Sequence, residues 1–173
     1  MSPGQGGIVG AWYNSAWWLW LLRPLELLFR LAAFVRRSLY RLGLLSVYRS
    51  EKPVVVVGNI TVGGTGKTPV VIALVEALQA AGLRPGVVSR GYGATGGQFP
   101  LRVSASSSAA DCGDEPLLIF RRTGCPCVVS PSRPDAVRAL LAGPPVDVVI
   151  SDDGLQHYAL ARDMEIAVID ARR

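Results

Sequence analysis

Two patterns of apolar and polar positions divide this chain. From Pro53 onward, short apolar runs alternate with stretches of helical period. Val54-Val55-Val56-Val57-Gly58-Asn59-Ile60 is a continuous β-branched run, which predicts a strand covered on both faces of a parallel sheet. A helix follows over 66–81, ended near Gly82, and then a strand over Pro85–Ser89. Residues 94–113 are rich in Gly, Ser and Ala and predict a flexible loop. Asp114–Arg122 reads as a helix opened by Asp114 with Pro116 in its first turn, Cys127–Val129 as a strand, and Pro134–Leu141 as a helix. Val146–Ile150 and Ile166–Ile169 are two more apolar runs of strand type. Alternating strands and helices without an internal repeat predict an α/β class domain with a mostly parallel sheet flanked by helices. The chain stops at Arg173 directly after a strand, with no closing helix, so truncation is expected.

The first fifty residues follow a helical period of their own. Pro24 suits a first helical position, Glu26 the first turn and Gly43 the stop. At 100° per residue Arg23, Glu26, Arg30, Arg37 and Arg41 form a narrow stripe, and leucines and phenylalanines fill most of the rest. This predicts an N-terminal amphipathic helix with a wide apolar face. Ahead of it Trp12, Trp17, Trp18 and Trp20 cluster, a residue type suited to the headgroup level of a bilayer. The expected division is therefore a membrane-associating segment, 1–50, and a core domain, 51–173.

Charge sharpens that division. The net charge is +5, yet residues 1–22 carry no charged side chain and 53–173 balance eleven basic against eleven acidic. The surplus lies in 23–52, where Arg23, Arg30, Arg36, Arg37, Arg41, Arg49 and Lys52 face only Glu26 and Glu51. A basic strip beside an apolar, Trp-rich strip points to an anionic membrane surface, whereas a nucleic-acid binder spreads basic residues over its folded domain. A spanning helix over 15–35 would put Arg23, Glu26 and Arg30 near the bilayer centre. A signal peptide lacks its basic start here. In-plane binding ranks first, and packing against the chain's own domain second. Cys112, Cys125 and Cys127 read as small buried apolar residues in a reducing compartment, and the single histidine, His157, excludes sites that need two.

The chemistry concentrates after strands. Thr61-Val62-Gly63-Gly64-Thr65-Gly66-Lys67-Thr68 lies between the first strand and its helix. Glycines let successive N–H groups curl around an anion and the helix start adds a positive dipole end. Lys67 then reaches the β- and γ-phosphates of ATP and the Thr68 hydroxyl suits Mg²⁺. The usual motif has Gly where this chain has Thr61. Asp152-Asp153-Gly154-Leu155-Gln156-His157 follows another buried run, where a carboxylate suits Mg²⁺ on the phosphates, although Asp-Asp-Gly is also a good turn. In Gly113-Asp114-Glu115-Pro116, Asp114 suits acceptance of a hydroxyl proton, but from the residues alone a helix cap is favoured. In Ser89-Arg90-Gly91-Tyr92-Gly93, Arg90 suits phosphate and Tyr92 a sugar or base, against plain loop packing.

Together these four motifs, in this order, resemble the tetraacyldisaccharide 4′-kinases, the lipid A 4′-kinases of Gram-negative bacteria. That family also has Ser or Thr at the position of Thr61. The resemblance implies a P-loop NTPase-like fold and Mg²⁺-dependent transfer of the ATP γ-phosphate to the 4′-hydroxyl of an acylated disaccharide 1-phosphate. The product would be lipid IVA, made at the cytoplasmic face of the inner membrane. It further implies that Thr61–Thr68 bind ATP, that Asp114 is the base, and that Asp152 and Asp153 serve metal and phosphates. Arg90, Tyr92, Glu115, Gln156 and His157 would line the active site. Family members are about twice this length, within the range where chains divide into lobes. Their second half supplies a smaller lobe and a histidine that partners the base. Two rivals remain at this point. One is a membrane-recruited ATPase switch of the partitioning or division-site type, whose signature lysine is here Val62. The other is a non-enzymatic fragment.

Overall fold

The computed structural model describes residues 23–59, 66–94 and 98–169. Its contacts divide the chain into two compact units, Met1–Leu45 and Ser46–Arg173. In the first, α1 (Arg23–Arg41) is a 19-residue helix with no buried residue. Glu26 and Arg30, one turn apart, pair at 2.7 Å, and Gly43 leaves the helix with φ +71°. Leu25, Leu28, Phe29 and Phe34 are all exposed. Among the described residues no helix is long and apolar enough to cross a membrane. The tryptophan cluster and the start of the 15–35 segment lie outside the described residues.

The second unit is an α/β layer structure. Its strands are β1 (Val54–Asn59), β2 (Pro85–Ser89), β3 (Leu101–Arg102), β4 (Cys127–Val129), β5 (Val148–Asp152) and β6 (Met164–Val168). They form one sheet in the order β3-β4-β2-β5-β1-β6, parallel throughout except for the β3–β4 pair. The helices are α2 (Lys67–Ala80), α3 (Ala109–Cys112), α4 (Asp114–Thr123) and α5 (Arg133–Leu141).

The period of two along each strand builds a core on both faces. Val57, Val87, Val129 and Ile150 point to the face where Val71 and Val75 of α2 and Leu117 and Ile119 of α4 pack. Val54, Val56, Val88, Val128 and Val149 point to the other, against Ala136, Val137 and Leu140 of α5. The three cysteines are free and buried, with Cys125 and Cys127 Sγ 3.8 Å apart.

Four details differ from the sequence reading. The segment expected as a loop over 94–113 contains β3 and the one-turn α3, whose Ser108 and Asp111 form a capping box. The fifth strand runs Val148–Asp152 rather than 146–150, because the ladder to β1 and β2 carries the polar Ser151 and Asp152 beside Val56, Val57 and Val88. Asp147 instead bonds Arg84 through both carboxylate oxygens. The last strand starts two residues early, at Met164, since an edge position tolerates the exposed Glu165. Finally, α4 is capped by Gly113, not by Asp114, which is already its first helical residue.

Candidate phosphate-transfer site

Topology brings the motif residues together. Inserting β5 between β1 and β2 puts the C-terminal ends of three strands side by side, and ligands of open parallel sheets bind at such ends. Lys67 enters from the start of α2 after β1, Arg90 follows β2, and Asp152 closes β5. Residues 60–65, including Thr61, Val62, Gly63, Gly64 and Thr65, lie outside the described residues. Gly66 caps α2 at φ +74° and, having no side chain, makes no cap bond to the first-turn amides of α2. Thr68, the second helical residue, is half-buried.

A cavity of about 580 Å³ is lined by Lys67, Ser89, Arg90, Tyr92, Asp114, Glu115, Pro116 and Asp153. Close backbone approach shapes its wall. Gly113 has φ +89° and ψ 157°, a region open essentially to glycine alone, and a Cβ there would meet the Tyr92 carbonyl oxygen at 2.9 Å. The loop after β2 thereby lies directly against the start of α4, and Tyr92 and Asp114 share one wall. Gln156 and His157 fall in the turn beyond Gly154, where His157 N–H donates to the Gly154 carbonyl at 3.0 Å. Neither lines this cavity among the described residues.

The paired aspartates face different surroundings. Period two sends Asp152 to the face of Ile150, where α2 packs. It is fully buried, and among the described residues neither carboxylate oxygen has a hydrogen-bond partner. Burial, and next the Glu115 charge, push its pKa from 3.8 up to about 6; Lys67 and Arg133 pull the other way without cancelling this. Asp153 turns outward with a left-handed φ of +53°, and its Oδ1 accepts from Lys67 Nζ at 2.6 Å.

Among the described residues no three His, Cys, Asp or Glu side chains are grouped to hold a metal. Mg²⁺ does not require such a cage, since it takes one or two carboxylates and completes its shell with water and phosphate oxygens. A buried carboxylate with both oxygens unpartnered, beside a second one, fits that demand. One site residue escaped the sequence reading: Arg133, 1% exposed, lies against the Asp152–Asp153 main chain. The available signal was a cation at the first position of a helix, the end where the dipole disfavours positive charge.

A family model described as tetraacyldisaccharide-1-P 4′-kinase (LpxK) matches residues 18–173. The chain belongs to this family. Tetraacyldisaccharide 4′-kinase of Aeromonas salmonicida is 59% identical over 162 residues, 94% of this chain and 49% of that protein. The one of Azotobacter vinelandii is 57% identical over 166 residues, 96% of this chain and 50% of its own length. The chain thus spans about half the length of the curated relatives it matches. A crystal structure of LpxK from Aquifex aeolicus in complex with ATP superposes with a TM-score of 0.76 at 34% identity, covering 84% of this chain and 47% of that one. The fold is that P-loop kinase fold, and membership in the LpxK family decides against the partitioning-type switch.

Proposed function

We propose that this chain is the ATP-binding portion of a lipid kinase that phosphorylates the 4′-hydroxyl of a tetraacyldisaccharide 1-phosphate, yielding lipid IVA in lipid A biosynthesis. The observation that carries the reading is one cavity holding both Lys67 and Asp114, in a chain whose relatives are named for that reaction. Thr61–Thr68 cradle the triphosphate with main-chain N–H groups and the start of α2, and Lys67 exchanges Asp153 for phosphate oxygens. Asp114, free of any capping duty, accepts the proton of the sugar hydroxyl as it attacks the γ-phosphorus in line. Asp152 and Thr68 would hold Mg²⁺, which would supply charge neutralisation on the transferring phosphoryl group, with Asp153 beside them on the Lys67 ammonium. Arg90, Tyr92 and Glu115 line the approach of phosphate and sugar, while Gln156 and His157 stand on the turn after β5, outside the cavity lining.

Residues 1–50 form the membrane-associating part and 51–173 the kinase core. The exposed apolar side chains of α1 and the basic surplus of 23–52 favour an anionic membrane surface, at the cytoplasmic face of the inner membrane where such a lipid and ATP meet.

The test is transfer of labelled γ-phosphate from ATP to the tetraacyldisaccharide 1-phosphate by the intact protein carrying this sequence. Asp114→Asn is expected to lower kcat by about 10²- to 10⁴-fold with unchanged ATP affinity. Full turnover by that variant would remove the base assignment, and no transfer by the unmutated protein would remove the kinase reading.

A further inference from the structure

Arg133 is a buried cation in an unfavourable place. It is the first residue of α5, behind the N-cap Ser132, where the helix dipole opposes its charge. Burial also pulls its pKa down from 12.5 to about 10; Asp152 and Asp153 act the other way and Arg90 adds to the fall. Its hydrogen bonds go to main chain rather than to carboxylates. Nη2 donates to the Asp152 carbonyl at 2.7 Å and to the Asp153 carbonyl at 3.4 Å, and Nη1 to the Ser130 carbonyl at 3.4 Å. Among the described residues both side-chain oxygens of Asp152 are left unpartnered. A group present only for charge balance would close an ion pair with that carboxylate. Instead the guanidinium fork grips the turn from beneath and leaves the carboxylate lone pairs open. The same grip spans Asp153, the one non-glycine residue with positive φ among the described residues.

We propose that Arg133 is a positioning residue that holds the Asp152–Asp153 main chain so that one carboxylate stays open for a divalent cation while the other meets Lys67. This rests on the assignment of those two carboxylates to metal and phosphates. Arg133 is not among the residues that line the cavity and acts through the turn. Side chains that orient metal ligands from behind typically set 10- to 100-fold of metal affinity, which fixes the size of the expected effect.

The experiment measures ATP affinity of the 173-residue chain calorimetrically, once in EDTA and once in Mn²⁺, for the unmutated protein, Arg133→Met and Arg133→Lys, with circular dichroism to check folding. Arg133→Met is expected to keep its EDTA affinity within about twofold and to lose about 10-fold or more of the gain from Mn²⁺. Arg133→Lys, with one ammonium in place of the fork, is expected to recover part of that gain. A generalised structural defect would lower both affinities together, and that result, or an undiminished Mn²⁺ gain in Arg133→Met, overturns the proposal. Should the Met variant not fold, Arg133→Lys decides: a gain reduced about threefold or more supports it, and an unchanged gain overturns it. If the unmutated chain binds ATP with no gain from Mn²⁺, the metal assignment of the aspartates fails first and takes this role with it.

Discussion

Lys67 Nζ lies 2.6 Å from Asp153 Oδ1, joining the first turn of α2 to the turn after β5. The lysine is largely covered, 15% exposed, whereas the aspartate is 59% exposed. The ammonium thus rests on a partner that solvent screens, so exchange for a phosphate would cost little. Lys67→Ala should weaken ATP binding roughly 10- to 100-fold, the worth of one charge-assisted hydrogen bond, with the melting temperature nearly unmoved. Isothermal titration of the folded variant checks this. Affinity within twofold of the original would separate Lys67 from the phosphates.

Asp152 predicts an exchange of stability for function. Its folded pKa, about 6, lies above its ordinary 3.8, so its favourable contribution is complete below 3.8 and is lost as pH rises through 6. The metal-free protein should therefore lose up to roughly 3 kcal/mol of stability from this group between pH 3.8 and 7. Asp152→Asn should be more stable than the unmutated chain at pH 7.5, converge with it near pH 3.5, and gain less from Mg²⁺. Urea unfolding at the two pH values tests the sign.

Gly113 should not accept a side chain. Its backbone lies in a glycine region and a Cβ would press on the Tyr92 carbonyl. Gly113→Ala should cost about 1–3 kcal/mol or more and displace Asp114 from the Tyr92 wall. Thermal unfolding reads the first effect, and phosphate transfer by the intact protein reads the second. A variant as stable as the original would mean that the two loops do not approach as closely.

The basic residues of α1 should set the salt dependence of membrane association. Replacing Arg36, Arg37 and Arg41 by Gln should weaken binding to phosphatidylglycerol vesicles roughly 100-fold at low salt, at about 1 kcal/mol per charge. Cosedimentation with anionic and neutral vesicles measures it. Equal binding to both would leave only the apolar face as the attraction.

The candidate site was legible in part because the pattern proposed for phosphate binding is written in local order. A β-branched run, a Gly-rich turn, Lys67-Thr68 and a helix need only consecutive residues, and the described part, from Gly66 onward, has the expected helix start. What local order could not give was the division of labour between Asp152 and Asp153. That follows from strand register: β5 continues two residues past its apolar run, which buries the first carboxylate and turns the second outward. The cap reading of Asp114 failed for a related reason, since Gly113 takes the N-cap in a conformation that only its packing on Tyr92 explains.

By itself the sequence determined the alternation of strands and helices, the buried cysteines and the order of the chemical motifs, because these depend on side-chain period and on neighbours along the chain. Only the tertiary structure decided that β5 lies between β1 and β2, so that residues as distant as Lys67, Asp114 and Asp153 share one cavity. It alone turned Arg133 from an ordinary helix arginine into a buried clamp. Burial and contact are properties of the assembled sheet, and no stretch of chain carries them before the strands have chosen their partners.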